Sequence, residues 1–189
     1  MAHVTGISAD RALIRLKEGN AAYVASDGFA GDVSRARRTK LAAGQAPFAV
    51  IIACSDSRVV PEAVFSCGLG ELFVIRVAGN VMDDHQLGSV EYAAGHLGTN
   101  LVVVLGHTHC GAVDAAMNHD PDGYIKFITD EIRAGIGEER DPLRACAANV
   151  RHSIACIEES LEIRRDEAAG LLVAGAILDI ETGAVTWLD

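Results

Sequence analysis

The sequence predicts an α/β fold: a single domain around a mainly parallel central β-sheet flanked by helices, with an antiparallel edge strand at the C-terminus. Three observations carry this. Four continuous apolar runs, PFAVIIA (47–53), ELFVIRVA (71–78), NLVVVLG (100–106) and GLLVAGAIL (170–178), lack polar alternation and so fit strands buried on both faces. Helix-like stretches separate these runs, the pattern of strands linked by helical crossovers. After the fourth run, the turn signal Glu181-Thr182-Gly183 precedes AVTWL (184–188), which returns as an antiparallel edge strand.

Taken in order, Ala9 to about Val24 read as a helix, with Leu13, Leu16, Asn20 and Tyr23/Val24 on one stripe and Ser8 as its cap. The basic run Ser34 to Lys40 reads as a solvated helix face. Together residues 1–40 form an N-terminal helical arm on a domain spanning 1–189. Further helices are expected at roughly 87–97, 111–118, 124–135 and, as one long element, 142–164. No internal repeat or linker interrupts the chain. Ligands in such folds gather beyond the C-terminal ends of the strands, where strand order reverses.

Composition narrows the function. With 189 residues, half of them hydrophobic, the chain is long enough for a substantial core and too apolar for disorder. Sixteen Lys+Arg against 26 Asp+Glu give a net charge of −10. That is a poor match to nucleic acid, which requires a basic face. The longest uncharged apolar run, Ala168 to Leu178, has 11 residues, whereas a membrane-spanning helix needs about 20. Asp10, Arg11 and Arg15 fall where the apolar core of a signal peptide would lie, so a cytoplasmic location is expected. Five cysteines at irregular spacings, without a CxxC pair, point to metal binding or plain burial rather than a disulfide framework.

The chemistry concentrates after the first and third strands. Cys54 opens Cys54-Ser55-Asp56-Ser57-Arg58, and His107 opens His107-Thr108-His109-Cys110. If those two strands are neighbours, Cys54, His107 and Cys110 emerge at one sheet edge as a soft three-ligand set suited to zinc (Zn2+). The fourth tetrahedral position is then left for water, the pattern of a catalytic site. Bound zinc lowers the pKa of water toward ~7. Asp56 and Arg58, two residues apart, can pair, so the carboxylate stays ionised and oriented. The pair is either an orienter of the water or, if Arg58 lets go, a switch in which Asp56 itself closes the open position. His109, between two ligands, should face away. Cys67, Cys146 and Cys156 read as ordinary small apolar side chains.

These blocks, CSDSRVVPE (54–62), ELFVIRVAGN (71–80), SVEYA (89–93), VVLGHTHCGAV (103–113) and VAGAILDIETGAV (173–185), resemble the β-class carbonic anhydrases over nearly the whole chain. The resemblance implies zinc on Cys54, His107 and Cys110 and an Asp56–Arg58 dyad. It also implies the reversible hydration of carbon dioxide to bicarbonate and a proton through zinc-bound hydroxide. It assigns Gln45 as a hydrogen-bond donor to substrate, Phe73 and Tyr92 as walls of a small apolar pocket, and Gly111 as a backbone group facing substrate. Ala78 stands where many members have valine, implying a slightly roomier pocket, and His96 matches a proton-transfer position. The family's pocket forms at a dimer interface embraced by the N-terminal helix, which implies a homodimer or higher even oligomer. One branch binds a regulatory bicarbonate through a tryptophan three residues before the first ligand, with a valine and an arginine. Val59 and Arg76 match, but Ile51 stands in place of the tryptophan, so no regulatory site is expected.

Other motifs fail. Gly68-Leu69-Gly70 lacks the third glycine of a dinucleotide fingerprint, since Phe73 is there, and it precedes a strand. A cysteine-dependent phosphatase needs arginine where Val60 stands. Two rivals remain: a zinc enzyme hydrolysing carbonyl sulfide or carbon disulfide, and a catalytically silent zinc protein, which loss of Asp56 or Arg58 would have favoured.

Overall fold

The computed structural model describes residues 6–26 and 28–189. The elements run α1 (Ala9–Val24), α2 (Arg35–Leu41), β1 (Ala49–Ala53), α3 (Pro61–Val64), β2 (Leu72–Arg76), a 3-10 turn (Ala78–Asn80) and α4 (Asp84–Leu97). They continue through β3 (Leu101–His107), α5 (Gly111–Asn118), α6 (Ile125–Ile136), α7 (Pro142–Glu158), α8 (Leu161–Ala168), β4 (Leu172–Leu178) and β5 (Val185–Trp187). The sheet order is β2-β1-β3-β4-β5. All neighbours are parallel except β4 and β5, which pair antiparallel with Ile177 opposite Thr186.

Every residue of β1 and β3 is buried, as continuous apolar runs require, and the two-residue period divides them between two cores. Val50, Ile52 and Cys54 join Val102 and Val104 beneath α4 to α8. Ala49, Ile51, Ala53, Leu101, Val103 and Leu105 face Ala12 and Leu16 of α1 and Val64 of α3. Full burial of a side chain such as Leu16 contributes ~1.5–3 kcal/mol. α1 therefore lies on its own sheet, leaving Ile14 and Val24 exposed. Asn20 anchors it: its amide donates to the carbonyls of Val64 and Gly183, and its oxygen accepts from the Val185 amide, at 2.8–3.1 Å. The Ser8 side chain caps α1, as expected, and α2 carries the basic run with no buried residue.

The expected helix over 142–164 is two helices. Ser160 ends the first and caps the second, its hydroxyl accepting from the Ile163 amide at 3.2 Å and donating to Glu91 at 2.7 Å. α4 begins earlier than its apolar periodicity suggests, because Asp83 and Gln86 form a capping box ahead of it. α3 and the 3-10 turn had no sequence signal: four and three residues are too short for periodicity. Among the described residues no helix is long and apolar enough to cross a membrane.

Candidate metal centre and active site

β1 has β2 on one side and β3 on the other, so strand order reverses at the β1–β3 pair. Such a reversal opens a crevice beyond the C-terminal strand ends. Ala53 pairs with Leu105, which sets Cys54 and His107 side by side at that edge, while Cys110 caps the N-terminus of α5. The ligand atoms of Cys54, His107 and Cys110 lie within 4.8 Å of one another, and all three residues are buried.

Local hydrogen bonds aim these groups. The His107 ring nitrogen Nδ1 contacts the Thr108 carbonyl at 2.9 Å. A carbonyl only accepts, so Nδ1 carries the proton and Nε2 presents a lone pair. That Nε2 is buried and has no hydrogen-bond partner. An orphaned acceptor beside two thiols is the donor arrangement zinc takes. The Cys54 sulfur accepts from the amides of Gly79 at 3.2 Å and Asp56 at 3.4 Å. The Cys54 thiol is pulled well below the usual thiol range, first by the Cys110 thiol donating to it and also by these amides, against burial. Cys110 is pushed up, first by that same shared proton and then by burial.

Asp56 is not among the groups that meet at this point. Arg58 holds both of its oxygens, Nε to Oδ1 at 2.9 Å and Nη2 to Oδ2 at 2.7 Å, and the Arg58 amide adds a third bond at 3.0 Å. The guanidinium keeps the carboxyl far below the usual carboxylate range. Arg58 is itself tied to the His109 carbonyl at 3.1 Å, so the dyad bridges the two ligand loops. His109 is exposed, in a left-handed conformation at φ 56°, and is not among the groups that meet at the cluster.

The remaining predicted site residues divide. Gly111 opens α5 next to Cys110, and a cavity of about 540 Å3 lies beside them, lined also by Val113, Met117, Leu143 and Cys146. Phe73 on β2 packs against the core cluster that contains Cys54 and Cys110, and its ring lies 6.3 Å from that of Tyr92. His96 stacks on Tyr92 at 5.3 Å, both exposed. Ala78 begins the 3-10 turn that passes Cys54. Gln45 lies elsewhere: it precedes the N-terminal end of β1 and lines a separate cavity with Arg38, Leu41 and Leu69. Five residues of strand, ~17 Å, separate it from the Cys54 edge. Ile51 points into the α1-side core, on the opposite sheet face from Cys54.

Four residues support the site in roles the sequence reading did not assign them. Arg76 donates to the carbonyls of Cys54 at 3.1 Å and Asp56 at 2.7 Å, bracing the ligand loop. Gly79, at φ 70°, brings its amide to Cys54, and a Cβ there would meet Ile132 Cδ1 at 2.7 Å. Asn149 of α7 donates to the Gly79 carbonyl at 2.7 Å, and Ser153 one turn on donates to the Asn80 carbonyl at 3.0 Å. Their signal was legible: Asn149 and Ser153 are the polar members of a buried helix face otherwise made of Ala145, Cys146, Val150 and Ile157.

Comparison with known proteins agrees with this arrangement. The family model described as carbonic anhydrase matches residues 49–185. Carbonic anhydrase 2 of Mycobacterium tuberculosis is 46% identical over 186 residues, covering 92% of this chain and 90% of that protein. Among solved structures, the β-carbonic anhydrase CafA of Aspergillus fumigatus superposes with a TM-score of 0.74 at 28% identity, covering 80% of each chain. A structure from a study of two tetrameric β-carbonic anhydrases of Sordaria macrospora gives 0.71 at 28% identity, covering 80% of this chain and 85% of that one. Sequence, strand order and the Cys–His–Cys cluster at the switch point together lead to one conclusion: the chain belongs to the β-class carbonic anhydrase family, whose members are carbonate dehydratases.

Proposed function

We propose that this protein catalyses the reversible hydration of carbon dioxide to bicarbonate and a proton, with zinc held by Cys54, His107 and Cys110. The observation that carries this is the unpartnered His107 Nε2 facing two sulfurs, with an Arg58-clamped carboxylate alongside. Zinc held there supplies Lewis acidity and a hydroxide nucleophile near neutral pH.

The chain's own residues orient and confine the reactants. With Asp56 ionised and held by Arg58, the carboxylate is an acceptor for the nucleophile's proton, and it fixes the direction of the attacking lone pair. The mainly apolar surroundings of Phe73, Ala78 and Tyr92 suit a small uncharged substrate. Gly111, at the helix N-terminus, offers backbone polarity to the charged product. His96, exposed beside Tyr92, is placed to pass the proton to solvent. Gln45 sits at the far sheet edge of its own chain, so its role as substrate donor is supplied across a homodimer or higher even assembly. The exposed apolar Ile14 and Val24 on the outer face of α1 support such an interface. A cytoplasmic setting is part of this reading, supported by five free cysteines, two of which serve the metal as thiolates.

Stopped-flow carbon dioxide hydration, on protein of known zinc content and on a metal-stripped sample, tests the proposal. Turnover should require zinc, and Cys110→Ala should lose metal and activity together. Stoichiometric zinc in that variant would remove Cys110 from the ligand set. Bound zinc without turnover would move the substrate to carbonyl sulfide or carbon disulfide, or make the protein a silent zinc binder.

A further inference from the structure

A second group of metal-type donors lies away from the first. His152 and Cys156 are four residues apart on α7, hence on one face, and Glu131 reaches them from α6. Gly135, one turn beyond Glu131, lets the helices close: a Cβ there would sit 2.5 Å from His152 Cβ. The close approach sets Glu131 Oε1 2.7 Å from His152 Nε2, with Cys156 Sγ 3.8 Å from each. All three residues are half-buried, so an ion can reach them from solvent.

We propose that Glu131, His152 and Cys156 form a second site, for a divalent transition ion of the zinc class, independent of the reaction proposed above. Thiolate, imidazole and carboxylate together are the donor set of such ions rather than of calcium or magnesium. The spacing fits. Tetrahedral zinc with normal bond lengths separates sulfur from nitrogen or oxygen by about 3.6 Å, and nitrogen from oxygen by about 3.4 Å. The two sulfur distances already agree, and the Glu131–His152 contact needs only to open by about 0.7 Å. Without an ion, the Cys156 thiol donates to Glu131 Oε1 and the three donor atoms converge on one point. Burial and the carboxylates of Glu131 and Glu159 raise the Cys156 thiol pKa. Among the described residues, Glu131 has no lysine or arginine partner. A bound cation relieves that field and clips α6 to α7.

The test uses the full chain with its first equivalent of zinc in place, titrated with Co2+. The wild type should take up one further equivalent, gain a sulfur-to-cobalt charge-transfer band, and protect Cys156 from alkylation as read by peptide mapping. Cys156→Ser and His152→Ala should each lose the second equivalent, or bind it at least tenfold more weakly, while keeping the first metal and wild-type turnover. No second equivalent in the wild type, or an undiminished one in both variants, overturns the proposal.

Discussion

His107, Cys54 and Asp56 each owe their chemical state to neighbouring groups that are invisible in their own identities. The Thr108 carbonyl selects the His107 tautomer, the Gly79 and Asp56 amides face the Cys54 sulfur, and Arg58 keeps Asp56 ionised. Asp56→Asn should retain zinc and lose turnover by ~10²-fold or more, since an amide cannot accept in the same way at both positions; unchanged hydration rates would take Asp56 out of the mechanism. Asn149→Ala strands the buried Gly79 carbonyl, at a cost of ~1–3 kcal/mol. It should also weaken metal binding by ~10–100-fold, as loss of a supporting hydrogen bond behind a ligand does. Ser153→Ala is the control, because it frees the Asn80 carbonyl without touching Gly79. Equal affinity loss in both variants, by competition with a zinc chelator, would make Asn149 merely structural.

The helices and strands follow from apolar spacing wherever they are long. β1 and β3 are buried on both faces because they have apolar residues in both registers, and α1 presents Ala12 and Leu16 four residues apart. The α7–α8 break shows the limit of that reasoning. Apolar positions continue through 142–164, and only Ser160, with a caps-and-tether role completed by Glu91 from α4, marks the end. Ser160→Ala should therefore lower stability by about 1 kcal/mol or somewhat more, since a cap and a half-buried partner are both lost. Urea unfolding monitored by circular dichroism measures this, and a change under 0.3 kcal/mol, well below the usual cap value, would mean that α8 is held by Ile163 packing alone. At Ile51 the element decides more than the motif. The side chain is wholly enclosed between β1 and α1, so Ile51→Trp overpacks that core and should destabilise by ~1–3 kcal/mol.

At the scale of the molecule, the two ends of the parallel sheet do different things. The C-terminal edge gathers donors at the β1–β3 reversal, and the N-terminal edge carries Gln45, too far away to serve the same chain's site. The proposed assembly predicts complementation. In mixed dimers of Gln45→Ala and Asp56→Asn subunits, one of the two sites is intact. Random reassortment of equal amounts should therefore restore about a quarter of wild-type activity. No recovery, with mixed dimers verified by mass, would place the Gln45 role within one chain or abolish it.

The sequence by itself determined the fold class, all five strands to within two residues, and the Cys54, His107 and Cys110 that meet at one sheet edge beside the Asp56–Arg58 pair. Those features are local: apolar runs, turn residues, and side chains that must follow strand ends. Strand order, the braces from Arg76 and Asn149, the α7–α8 break, the remoteness of Gln45 and the meeting of Glu131 with His152 and Cys156 were decided by tertiary structure. Each joins segments about 20 or more residues apart, and which segments meet depends on how crossover helices pack over a twisted sheet. Periodicity along the chain records which face a residue buries, but not what will stand opposite it.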